Sequence, residues 1–345
     1  MILVMSQKTI GFFTRLLDNV PAEERYALAA EQINKAEALG FDTAWVAQHH
    51  FHGDEGGLPA LFPFLSYVAA RTQRIRLGTG VVTLTMENPV RVAEDAVVTD
   101  ILSNGRLEVG FGSGGTPRSY EAFGQQFAQR HALMDRNLGI VKAAWKGEAL
   151  PGQNHLWPAG RGLELRSWQA TFSAVGAEKA GAAGDGLMLS RTQPRPQGRT
   201  DASLADIQIP LIEAYLKNLP AHVAPRIMAS RSVFVADDRS QALDFARTGL
   251  LRQVEKFRAS GHTIDDSSVE SLLRTFDVHL GTPEEVVRSL SADRALDHAT
   301  EVTIQVHSVD PPHSFILRSL ELFATQVAPA LGWGTSNSAD LRRKA

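Results

Sequence analysis

Eight short runs of apolar and β-branched residues recur along this chain, each followed by a longer and more polar stretch, and no other feature constrains its fold as strongly. The runs are 9–13, 43–47, 75–80, 107–110, 168–172, 186–190, 227–235 and 302–307. Strand-length runs alternating with helix-length segments predict βα units and a parallel sheet. The segment 21–39 is a clear helix, because Tyr26, Ala30, Ile33 and Glu37 recur on one face and Gly40 supplies the stop. Pro21, Pro89 and Pro283 each stand where a helix begins, where a missing N–H costs nothing. Eight such units close a (β/α)8 barrel and leave no sheet edge, so the expected architecture is an α/β TIM barrel over residues 1–345. An open doubly wound sheet is the alternative. Three segments break the rhythm and read as insertions, 147–166, 191–203 and 259–281, the last two being candidate lids.

Bulk properties narrow the partners. A formal net charge of −3 over 345 residues gives no field for nucleic acid or for an anionic membrane surface. No run of 18 apolar residues occurs, and the apolar start Met1 to Met5 is too short for a secretion signal, so it is expected to lead into the first strand of a cytoplasmic protein. The chain has no cysteine, which removes disulfides, thiolate metal sites and cysteine nucleophiles together. A small molecule is the expected partner.

Several residues at strand ends could carry chemistry. His49, His50 and His52 follow the second strand, where a barrel builds its active site, although a histidine there is also a common structural residue. His50-Phe51-His52 also fits a metal-dependent hydrolase, with His279, His298, His307, Asp54 or Glu55 as further ligands. Gly110, Gly112 and Gly115 satisfy the dinucleotide fingerprint, but they follow the fourth strand instead of the first, and Asp135, the acid about twenty residues on, lies within a predicted helix. These glycines are read as backbone kept bare for a flat ring. At Ser173-Ala174-Val175-Gly176-Ala177 a hydroxyl stands at a helix start, which suits a phosphate and suits a plain N-cap equally.

Four signals occur in order: Gln48-His49-His50-Phe51, Leu77-Gly78-Thr79-Gly80-Val81, Asn88-Pro89-Val90-Arg91-Val92-Ala93-Glu94-Asp95, and Ser103-Asn104-Gly105-Arg106 running into Val109-Gly110-Phe111-Gly112-Ser113-Gly114. In combination they resemble the bacterial luciferase-like monooxygenase family, whose members bind FMN in a (β/α)8 barrel. The resemblance implies that His49 lies near the reactive edge of the flavin. It implies that Thr79, Gly80 and Val81 lie beneath the ring with a non-prolyl cis peptide, that Gly112 and Ser113 lie beside it, and that Ser173, Val175, Gly176, Ala177 and Ser190 serve the cofactor further along. It further implies reduced FMN supplied by a separate NAD(P)H-dependent flavin reductase, O₂ as oxidant, a small organic substrate and a homodimer. Gln48, Gly112 and Ser113 replace an acid, a cysteine and an arginine of the luciferases proper, so aldehyde oxidation with light emission is not expected. A deazaflavin-dependent oxidoreductase, a non-catalytic flavin-binding protein and the hydrolase above remain as alternatives.

Overall fold

The computed structural model describes residues 8–196, 198–199, 202–259 and 264–334. Among the described residues nine strands form one parallel sheet: β1 (Thr9–Thr14), β2 (Thr43–Val46), β3 (Arg76–Thr83), β4 (Leu107–Gly112), β5 (Ser167–Ala170), β6 (Gly186–Leu189), β7 (Ile227–Val235), β8 (Val278–Gly281) and β9 (Glu301–Gln305). Pairing runs in sequence from β1 to β7, then from β7 to β9 and from β9 back to β1. The result is a closed eight-stranded (β/α)8 barrel, and all eight expected strands are present within two residues at each end except β3, which runs three residues further. The open-sheet alternative is ruled out by the β1–β9 pairing.

The ninth strand is a correction. Segment 259–281 was expected to be an insertion without a core pattern, yet it contains the helix Val269–Thr275 and strand β8, and Val269, Leu272, Val278 and Leu280 are all buried. β8 pairs with the far half of β7, Ser232 to Val235, beyond the ring itself.

The barrel interior is filled by side chains in layers, as a ring of this size requires. In its floor the indoles of Trp45 and Trp168 meet edge to face with centroids 5.5 Å apart. Their N–H groups end on buried carboxylates, Trp45 Nε1 on Glu301 Oε1 at 2.6 Å and Trp168 Nε1 on Glu108 Oε2 at 2.7 Å. The glycines beside them follow from this packing, because a Cβ on Gly78 would overlap the Trp45 ring and one on Gly186 the Trp168 ring. Outside the ring, the helix Ala22–Ala38 buries Ala30 and Ile33 and turns Glu37 outward to accept the backbone N–H groups of Gln73, Arg74 and Ile75.

The motif Ser103-Asn104-Gly105-Arg106 is structural. Asn104 and Gly105 take left-handed backbone angles, and the nearly buried Arg106 donates to Ser103 O, Thr72 Oγ1, Ile75 O, Ala69 O and Thr72 O, locking the turn before β4 against its neighbours. Asn88 caps the helix Pro89–Leu102 by accepting from Val90 N and Arg91 N. Among the described residues no helix is long and apolar enough to cross a membrane.

Candidate functional site

At the C-terminal rim of the barrel the ends of β2, β3 and β4 enclose a cleft of about 200 Å³, bordered by Gln48, His49, His50 and Glu55 on one side, Gly80 and Val81 below, and Gly114 to Thr116 opposite. A somewhat larger hollow, about 290 Å³, lies between Tyr26, Leu58, Phe64 and Tyr67, but it is almost wholly apolar and offers no reacting group. Chemistry belongs to the rim cleft.

Gln48 holds the cleft's back wall. Its Nε2 donates to Glu87 Oε1 at 2.6 Å and to Pro59 O at 3.0 Å, while its Oε1 accepts Thr83 N at 2.7 Å, so the β2 loop is tied to β3. Burial raises the Glu87 carboxyl above its ordinary range, and the Gln48 bond opposes this. Beyond Gln48 the chain turns back on itself, with Glu55 N and Gly56 N both bonded to His52 O and Phe51 in a left-handed conformation. The turn brings Glu55 Oε2 to 3.9 Å from His49 Nδ1, and Thr116 Oγ1 donates to the same oxygen at 3.2 Å. An imidazole, a carboxylate and a hydroxyl thus bridge the β2 and β4 loops, an arrangement able to hold or move a proton at His49. Gly56 is necessary here, because a Cβ would overlap the His49 ring. His50 packs edge-on against Phe123 at 4.8 Å, and burial pushes its pKa down. Its Nε2 is buried without a partner.

The peptide between Gly80 and Val81 is cis, as the resemblance implied, and both residues border the cleft with His49. The remaining expected residues do not border it. Thr79 is fully buried, its Oγ1 accepting Gly110 N and donating to Gly110 O at 2.9 Å each, so its side chain belongs to the β3–β4 seam. A Cβ on Gly112 would lie 2.6 Å from Val81 Cγ2, so this glycine makes room for Val81. Gly115, with nothing within 4 Å of its missing Cβ, is the bare one. Ser113 presents its carbonyl to Thr85 Oγ1 at 2.9 Å and to the Tyr120 hydroxyl.

Ser173 caps the helix Ala174–Ala182 by accepting Gly176 N at 3.2 Å, and Ala177 N bonds to Ser173 O at 3.1 Å. The first N–H groups of that helix, at Ala174 and Val175, have no intrahelical partner, and Val175 is largely exposed. Ser190 closes a small turn through Thr192, and its carbonyl accepts Gln208 Nε2.

A family model described as luciferase-like monooxygenase matches residues 10–296. The chain belongs to the luciferase-like monooxygenase family. It is 28% identical over 314 residues to 4-hydroxyprotoasukamycin monooxygenase of Streptomyces nodosus subsp. asukaensis, covering 85% of this chain and 83% of that protein. Over 120 residues it is 30% identical to an F420-dependent glucose-6-phosphate dehydrogenase of Amycolatopsis mediterranei, covering 33% and 36% of the two chains. The fold superposes on monooxygenase RslO1 from Streptomyces bottropensis with a TM-score of 0.78 at 23% identity, covering 94% and 99% of the two chains. It superposes on the oxygenating constituent of 3,6-diketocamphane monooxygenase from Pseudomonas putida, in complex with FMN, with a TM-score of 0.74 at 17% identity, covering 93% and 98%.

In this member of the family two of the histidines weighed for metal binding have protein partners. His307 Nε2 meets Asp18 Oδ2 at 3.1 Å, and His279 Nδ1 meets Ser289 Oγ at 2.7 Å. Among the described residues no group of three or more His, Asp or Glu is placed to hold an ion. Glu55 was weighed from the sequence only as a metal ligand, and Thr116 was not weighed as a site residue. The one available signal for Glu55 is its position in the glycine-rich turn His52-Gly53-Asp54-Glu55-Gly56-Gly57, directly after the histidines.

Proposed function

We propose that this chain is an FMN-dependent monooxygenase that takes reduced FMN from a separate NAD(P)H-dependent flavin reductase and uses O₂ to oxygenate a small organic substrate. It acts as a single barrel domain, as a homodimer and in the cytoplasm. The observation that carries the reading is His49, backed by Glu55, at the wall of a rim cleft that the backbone of Gly80, Gly114 and Gly115 also borders. A planar ring fits against such backbone, and the free N–H groups of Ala174 and Val175 at an open helix start fit a phosphate. When bound, the flavin supplies the electrons that activate O₂. The chain's own part is to orient the ring, keep a proton at His49 and exclude water from the cleft.

The F420-dependent relative favours a second reading, a deazaflavin-dependent hydride transfer at the same cleft. Fluorescence titration with FMN, riboflavin and F420 separates the two. FMN should bind tightest, and Ser173→Ala should weaken FMN while leaving riboflavin nearly unchanged, since a charge-assisted bond contributes about 1.5–3 kcal/mol. Equal affinity for FMN and riboflavin removes the phosphate assignment. Tight F420 binding with weak FMN binding transfers the protein to the hydride-transfer reading.

A further inference from the structure

Phe51 and Phe123 are 67% and 37% exposed, yet their rings meet with centroids 5.8 Å apart, the one contact between two exposed aromatic rings among the described residues. His50 completes a triangle, its ring 4.8 Å from Phe123 and 5.8 Å from Phe51. Because His50 itself borders the rim cleft, the three rings form one apolar surface continuous with that wall. Burial lowers the His50 pKa, so its ring is uncharged at neutral pH.

Local stability does not account for Phe51. His52 N bonds to His50 O at 2.8 Å and Phe51 between them has a φ of 66°, a γ-turn of the strained hand that bulky residues disfavour. Glycine would take this backbone without strain, and a ring two-thirds exposed gains little from burial. A large side chain kept exposed on strained backbone beside a cleft is explained if a ligand covers it. The cleft itself defines the ligand's chemistry. Glu55 is the one acidic side chain bordering it and no lysine or arginine does, while Ala47, Val81 and Met86 add apolar wall. An anion is repelled there, whereas an uncharged aromatic ring can stack on the exposed rings or meet them edge to face. The reading above seats the flavin against Gly80, Gly114 and Gly115, which leaves the His50 side to the second reactant.

We propose that His50, Phe51 and Phe123 select an uncharged aromatic substrate and hold its ring at the mouth of the cleft that His49 borders. The ring-binding claim rests on these three side chains. That the bound molecule is the substrate rests on the monooxygenase reading above.

The test is calorimetric titration of the full chain, with and without FMN, using benzyl alcohol, its saturated counterpart cyclohexylmethanol and the anion benzoate as probes. Benzyl alcohol should bind about two- to tenfold more tightly than cyclohexylmethanol, the range of an aromatic pair, and more tightly than benzoate. Phe51→Gly and Phe123→Ala should each abolish the preference for the aromatic alcohol while FMN affinity stays as in the wild type, and Phe51→Tyr should keep it. Without ligand, Phe51→Gly should melt close to the wild type, because relief of the strained backbone offsets the lost ring contacts. Equal binding of the two alcohols, binding of neither, or tighter binding of benzoate overturns the proposal. So does a marked loss of thermal stability in Phe51→Gly, which would make the ring structural. Loss of FMN affinity in the two variants would give the rings to the flavin, and a change of oligomeric state would give them to a second copy of the chain, and either result overturns the proposal. An aromatic preference in a protein that binds no FMN leaves the ring site standing and removes the monooxygenase reading instead.

Discussion

Trp45 Nε1 donates to Glu301 Oε1 at 2.6 Å in the floor of the barrel, and Thr43 Oγ1 donates to the same oxygen at 2.6 Å. Despite both bonds, burial pushes the Glu301 pKa up to about 7, with the negative charges of Glu108 and Asp42 adding to the shift. A carboxyl whose folded pKa exceeds its unfolded value stabilises fully below the unfolded value, about 4.5, and loses that contribution as the pH rises toward about 7. At about 1.4 kcal/mol per unit, the contribution lost is roughly 3 kcal/mol. Glu301→Gln keeps the oxygen that accepts from Trp45 and cannot ionise. Urea unfolding between pH 4.5 and 8 should show a falling stability in the wild type and a flatter one in the variant, and parallel curves would contradict the assignment.

The glycines that admit the two indoles should tolerate no side chain. Gly78→Ala and Gly186→Ala each force a methyl group into an indole ring and should cost about 1–3 kcal/mol or more, as overpacked cores do. Gly139, exposed within the helix Arg130–Trp145 and with nothing near its missing Cβ, provides the control. Gly139→Ala should stabilise by about 0.5–1 kcal/mol through backbone entropy. Thermal or urea unfolding of the three variants reads both signs.

His49 should be separable from the packing that holds it. His49→Ala should let bound, photoreduced FMN be reoxidised by O₂ about tenfold faster, the equivalent of one lost hydrogen bond, while FMN affinity stays close to wild type. Gly56→Ala should do the same with the histidine still present, because its methyl group displaces the ring. Stopped-flow absorbance measures the rate, and a large loss of FMN affinity in His49→Ala would make His49 structural.

Segments 191–203 and 259–281 should move together if either is a lid. Arg195 in the first pairs with Asp277 in the second, although burial acts to raise the Asp277 carboxyl. Arg195→Ala should therefore increase limited proteolysis in both segments, and FMN should protect both in the wild type. Cleavage that changes in one segment alone would show that they are independent.

The barrel was legible because each strand is a short apolar run between long amphipathic stretches, a pattern that survives an error of a residue or two at either end. β8 was not, since four residues alternating Val278, His279, Leu280 and Gly281 carry no period that distinguishes a strand from a loop. At the site, His49 and the Gly80–Val81 pair were legible through their motifs. Thr79 was expected beneath the ring through the resemblance, and its side chain is held in the β3–β4 seam by its exchange of bonds with Gly110. Glu55 depends on a turn that reverses the chain.

β8 also bears on how this protein fails. β7 spans nine residues, while β6 has four and β9 five, so Val233 to Val235 project past the ring with their backbone groups facing outward. β8 covers them through the pairs Val233 with His279, Phe234 with Leu280 and Val235 with Gly281. If β8 melts, it uncovers an apolar strand edge able to template pairing with another chain. Mild destabilisation of Val278–Gly281 should therefore show itself as self-association at temperatures where the ring is still intact.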